Sequence, residues 1–141
     1  MPGREDVFQK ALDDGHSAAW DQTWDKAAVC YQRALDEFPD NPKALNSLAL
    51  AQYQLGHFET ALETYRRVIR VSPDDAIAME KIAQLSEKLG NINQAVQAAL
   101  LAAELYLKIR DAEKAIENWS RVTQLAPENL TAHSPLLSTE G

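Results

Sequence analysis

The side chains best suited to metal ligation or nucleophilic attack in this sequence are His16, His57, His133 and Cys30. None stands at a ligand spacing from another His, Cys or paired carboxylate, which a tetrahedral metal site would need. His57 follows Gly56 where a turn is expected and reads as a solvated residue. Cys30, with Asp25, Asp36 and Glu37 in its neighbourhood, reads as inert packing rather than as an activated thiol. The acid pairs Asp13-Asp14 and Asp74-Asp75 are placed near expected helix ends, where capping and the helix dipole account for them. Arg66, Arg67 and Arg70 form a basic cluster, read as a solvated helix face supported by spacings such as Glu63 to Arg67. The chain has no glycine-rich phosphate loop, no G-x-S-x-G and no H-E-x-x-H. The expectation is a protein that is not an enzyme, with no metal and no cofactor.

The elements that carry these residues are helices. Glycine and proline are few, at 5 and 6 of 141 residues, while alanine, leucine, glutamine and glutamate are frequent. A 45% hydrophobic and 25% charged composition is that of a globular chain, long enough for one core. The formal charge of −7 opposes binding to nucleic acid or to an anionic membrane surface. No window reaches ~18 uninterrupted apolar residues, the length of a bilayer span. The first residues lack the apolar core of a secretory signal. A single cysteine excludes an internal disulfide, which suits a reducing, cytoplasmic setting.

A period of 34 residues organises the chain. Pro39 and Pro73 are 34 apart, as are Tyr31 and Tyr65. Ala27, Ala61 and Ala95 share one slot, Trp24, Phe58 and Ile92 a second, and Ala34, Val68 and Ala102 a third. Leu55-Gly56 returns as Leu89-Gly90. Each period reads as two helices. In 42–56, Leu45, Leu48, Ala49 and Tyr53 fall at helical spacing, and Gly56 closes the helix. In 58–71, Phe58, Ala61, Leu62, Tyr65, Val68 and Ile69 form a second apolar stripe, stopped by Ser72-Pro73. Gly15, Ala49 and Ala83 are the small contacts on the first helix of each pair. A pair cannot bury both faces alone, so neighbours stack.

This arrangement of small, aromatic and proline residues resembles the tetratricopeptide repeat. The resemblance covers residues 8–127, in units 8–41, 42–75 and 76–109. It implies an all-α, right-handed superhelix of helix-turn-helix repeats, with about seven helices. Residues 1–7 are read as a flanking segment and 128–141 as a tail or the start of a further repeat.

The period slips once. Residue 107, 34 after Pro73, is Leu, and the next junction proline is Pro127. Ala115, Trp119 and Val122 repeat the second-helix pattern only 20 residues after Ala95, Ala99 and Ala102. Fourteen residues, about one helix, are missing. The break-free stretch 93–109 is therefore expected to form one helix of 16–18 residues, about 25 Å long. It serves both as second helix of the third unit and first helix of the fourth. After Pro127, Ser134-Pro135 breaks any following helix.

The family resemblance places a partner-binding groove along the first helices. Carried over by position, the inner face holds Leu12, His16, Ala19, Trp20, Asn46, Leu50, Tyr53, Glu80, Lys81, Gln84 and Lys88. The contacts expected on this face are Leu12, His16, Trp20, Asn46, Leu50, Tyr53, Lys81, Gln84 and Lys88. Trp20 stands out because its 34-residue counterparts are Gln54 and Lys88, so its ring has no slot in the repeat core and is either an exposed contact or buried against the segment around Val7 and Phe8. Chaperone-binding members clamp a terminal carboxylate with Lys and Asn. The matching positions here are Leu12, His16, Ser47, Ile77 and Lys81, of which only Lys81 fits. The expectation is a non-catalytic scaffold that binds a partner peptide or helix, without carboxylate-clamp chaperone binding. The alternatives are a self-assembly module dimerising through the irregular C-terminal half, or a regulatory region of a larger enzyme.

Overall fold

The computed structural model describes residues 3–127. Among them are seven α-helices and no strand: α1 (Arg4–Trp20), α2 (Trp24–Glu37), α3 (Pro42–Gln54), α4 (Phe58–Val71), α5 (Ala76–Lys88), α6 (Ile92–Lys108) and α7 (Ala112–Leu125). Two compact units divide the chain between Pro73 and Asp74. No helix is long and apolar enough to cross a membrane among the described residues. The tail reading for 128–141 lies outside the described residues, as does His133.

In the first unit, α1 packs on α2, α2 on α3 and α3 on α4. Small residues set the approach. Ala27, Ala49 and Ala61 are fully buried. A Cβ added to Gly15 would come 2.5 Å from the Tyr31 ring, so α1 and α2 meet at a distance that only glycine allows. Helix α1 starts at Arg4, inside the segment read as flanking. Arg4 hydrogen-bonds the Glu37 carbonyl and lies 5.1 Å over the Phe38 ring, which meets Phe8 edge-on. These contacts tie the start of α1 to the end of α2. Asn41 caps α3 by accepting from the Ala44 amide at 3.0 Å, with Pro42 in the first turn. Asp13 and Asp14 prove to be mid-helix, not capping residues. Asp14 pairs with Lys10 at 3.3 Å, and Gln9 donates to Asp13 at 2.9 Å.

In the second unit, α6 packs on both α5 and α7. It runs unbroken for 17 residues. Asp75 caps α5 and Asp111 caps α7, each side chain accepting an amide at 3.0 Å.

The turns themselves record the slip of the repeat. Gln22, Gly56, Gly90 and Arg110 all have positive φ, at 60°, 80°, 83° and 63°. Each donates its amide three residues back, and the following residue donates five back, a Schellman-type ending. This is the turn inside a helix pair, and it recurs after 34, 34 and then 20 residues. The other turn, between pairs, ends α2, α4 and α7. There Phe38, Ser72 and Ala126 donate to Ala34, Val68 and Val122, and a proline follows each. Helix α6 therefore begins as a second helix and ends as a first helix. One helix serves two repeats, as the missing break at 107 required.

Arg110 pays the steric penalty of the left-handed region that Gly56 and Gly90 avoid. Arg110→Gly should stabilise the protein by about 1 kcal/mol, and Gly90→Ala should destabilise it by at least as much. Urea midpoints at unchanged m-value would show both, and a lower midpoint for Arg110→Gly would contradict this account of the turn.

Candidate functional site

The surface in question is built on the first helices, whose buried and exposed positions alternate by turn. In the first unit α1 and α3 carry it. Leu12 is only 2% exposed and belongs to the core, so it offers nothing to a partner. Its slot recurs 34 residues on as Asn46, half-buried, with its amide donating to the Pro42 carbonyl at 3.1 Å. His16, one turn beyond Leu12, is exposed. Leu50, its counterpart on α3, is 38% exposed, a large apolar side chain partly in water. Tyr53 is half-buried against Phe58, with ring centroids 5.4 Å apart. Trp20 is 88% exposed at the end of α1.

One buried side chain organises this face from beneath. Tyr31, from α2, reaches between α1 and α3. Its hydroxyl lies 2.8 Å from His16 Nδ1 and hydrogen-bonds Ser47. Burial raises the phenol pKa above its ordinary value, and the Ser47 hydrogen bond opposes that rise. The Tyr31 ring packs on Gly15 while its polar tip holds one residue from each first helix. The repeat aromatic thus acts both as core filler and as a post for the surface.

In the second unit α5 carries Lys81 and Gln84, both half-buried, and Lys88, which is exposed. Glu80 departs from the sequence reading. It stands in the slot of Leu12 and Asn46 and is 7% exposed, turned into the unit rather than out to a partner. Tyr106 Oη donates to one carboxylate oxygen at 3.1 Å, and Asn118 Nδ2 donates to the other at 2.9 Å. Asn118 also donates to the Lys114 carbonyl. Burial, and then the Glu80 charge, raise the Tyr106 pKa, so this phenol remains a donor. At the rim, Arg121 donates to Glu87 at 2.8 Å, across from α7 to α5.

The roles of Tyr106, Asn118 and Glu80 were not read from sequence. A signal existed: Leu12 heads the same slot, and its apolar character marks that slot as inward. The arrangement holds a carboxylate of α5 between neutral donors on two other helices, α6 and α7. It positions helices and offers no group to a substrate. Among the described residues no cluster of three His, Cys, Asp or Glu is placed to hold a metal ion.

A model of the tetratricopeptide repeat matches residues 16–86, half of the chain. The chain belongs to the tetratricopeptide repeat family. It is 28% identical over 130 residues to human interferon-induced protein with tetratricopeptide repeats 2, a match covering 77% of this chain and 28% of that protein. The chain therefore spans just over a quarter of the length of the curated relatives it first matches. A shorter likeness, 42% over 48 residues, joins it to a UPF0162 protein of Xylella fastidiosa, covering 34% of this chain and 17% of that one. Among solved structures it is similar to PcrH in complex with the chaperone binding region of PopD, with a TM-score of 0.79 and 17% identity, covering 89% and 95% of the two chains. The TPR2B domain of yeast Sti1 in complex with pHsp70 gives 0.76 and 16% identity, covering 86% and 98%. At such identities the likeness shows the fold alone.

Replacing Glu80 tests the buried cluster of this tetratricopeptide repeat protein. Glu80→Ala strands the Tyr106 hydroxyl and the Asn118 amide and should cost about 3 kcal/mol, with Glu80→Gln costing less. Equal urea midpoints for wild type and Glu80→Ala would remove the cluster's structural role.

Proposed function

We propose that this chain is a non-catalytic protein-interaction module that receives a peptide or helix of a partner on the exposed face of its first helices. The observation that carries the reading is the exposure of Leu50 and Trp20 on that face, where solvation of large apolar side chains is unfavourable. In the first unit Leu50 and Tyr53 form the apolar centre, with Asn46, His16 and Trp20 around it. In the second unit Lys81, Gln84 and Lys88 supply polar and cationic contacts. With Glu80 withdrawn, the α5 face is more basic than the sequence reading had it. Structures of the same fold hold partner segments, among them an HSP90 peptide on the first TPR of Spaghetti.

The occupant does not depend on a carboxylate clamp. Leu12 is buried, His16 and Ser47 are engaged by Tyr31, and Ile77 is apolar and exposed, so of the five clamp positions only Lys81 has the chemistry. The setting is cytoplasmic and the partner is neither nucleic acid nor membrane, in keeping with the −7 charge and the lone thiol.

A second reading, self-association, is favoured by Leu107, Ile109 and Ile116, all exposed on and beside the α6–α7 turn. Sedimentation velocity across a dilution series separates the two. A concentration-dependent dimer abolished by Ile109→Lys with Ile116→Lys would support assembly through this half.

For the binding face, Leu50→Asp and Tyr53→Ala should each weaken capture of co-purifying partners at least about tenfold while leaving the helical circular dichroism unchanged. Retention of every partner by both folded variants would end the assignment.

A further inference from the structure

We infer that the Trp20 end of α1 is a docking point for a cationic segment of a partner protein, with an arginine or lysine side chain laid over the indole. The inference deepens the proposed function and rests on it.

Three observations converge. Trp20 is 88% exposed, so its ring face is open to a ligand. It closes a helix whose last turn carries no basic residue, so the partial negative charge of the terminal carbonyls is uncompensated there. The surrounding carboxylates are exposed: Asp21 caps the helix, Asp25 lies in the first turn of α2, and Asp13 stands two turns before Trp20 on the same side of α1. Asp13 takes a hydrogen bond from the neutral Gln9, whereas Asp14 is already matched by Lys10. The nearby cation is Lys26, which shares a shallow cavity with Asp14, Ser17 and Asp21. The neighbourhood of the indole is therefore net negative.

An exposed aromatic ring at a helix C-terminus, with carboxylates a few residues away along the chain, attracts cations, and tryptophan gives the strongest cation–π attraction of the aromatic side chains. Arginine suits it best, since its plane stacks on the ring while its N–H groups reach a carboxylate. Asp13 and Trp20 are about 10 Å apart along the helix. Two cations three positions apart on a polyproline II segment, with three residues per turn and a rise of about 3.1 Å per residue, lie on one face and match that span. The −7 charge of the chain would draw such a segment in from a distance.

The test uses the full chain and two labelled twelve-residue peptides of alanine and leucine. One bears two arginines three positions apart, and the other bears glutamates in their place. Fluorescence anisotropy should show the arginine peptide binding more tightly, with the difference shrinking as salt is raised. Trp20→Ala removes an exposed ring and leaves the core intact. It should weaken the arginine peptide about tenfold, while Trp20→Phe retains part of the affinity. Asp13→Asn with Asp21→Asn should weaken it further and flatten the salt dependence. Failure of the arginine peptide to bind, equal binding of both peptides, or indifference to Trp20→Ala would each overturn the inference. Loss of native partners in Leu50→Asp but not in Trp20→Ala would overturn it while leaving the wider binding face standing.

Discussion

Burial of α6 on two faces at once is the constraint from which the second unit follows. A helix pressed between α5 and α7 must present small side chains in both directions, or the backbones stand too far apart to pack. Ala95, Ala99, Ala102 and Ala103 are fully buried, and Ala98 nearly so. Leu105 and Tyr106 fill the space those alanines leave and join Ala76 and Ala115 in one cluster, with Met79 and Trp119 against it. Alanine is also the best helix former, so the same residues hold the segment straight without a break. One composition answers both demands, and the repeat shortens by a helix.

That shortening accounts for the polar interior of the unit. When α7 closes on α5 and α6, the slot occupied by Leu12 in the first repeat is covered by Tyr106 and Asn118. A carboxylate there meets donors rather than water. Two hydrogen bonds from neutral groups keep Glu80 satisfied without a buried cation, and the rim pair Arg121–Glu87 adds a second tie between α7 and α5. A buried charge so held fixes the geometry of three helices, because any shift strands a polar group in a low dielectric. The surface changes with it: an acid expected among the contacts of α5 is removed from them, leaving Lys81 and Lys88.

The first unit solves the same problem with an aromatic. Tyr31 needs Gly15 beneath its ring and spends its hydroxyl on His16 and Ser47. Core packing and surface positioning are joined in one side chain, so the two first helices present their residues in a fixed relation.

Much of this was legible in the order of residues. The 34-residue period, the helix pairs, the capping by Asp75, and the shared helix all follow from local chemistry. Glycine permits a left-handed turn, proline ends a helix, and alanine at helical spacing permits close approach. Each acts within a few residues, so spacing alone reveals it. The same spacing left Trp20 without a slot in the repeat core, since its place is filled elsewhere by Gln54 and Lys88, while its exposure, rather than burial against the segment around Phe8, is a finding of the structure. Side-chain direction at Leu12 and Glu80 was hinted at by the apolar residue heading that slot but not decided by it. Both fall at inner-face spacing, yet whether such a position meets water or a neighbour depends on helices distant in sequence. Arg110, 20 residues after Gly90, falls in the glycine slot of the slipped period, but only the structure shows a side chain taking the left-handed conformation there, as Gln22 does in the first pair, because the turn must return α7 onto α6.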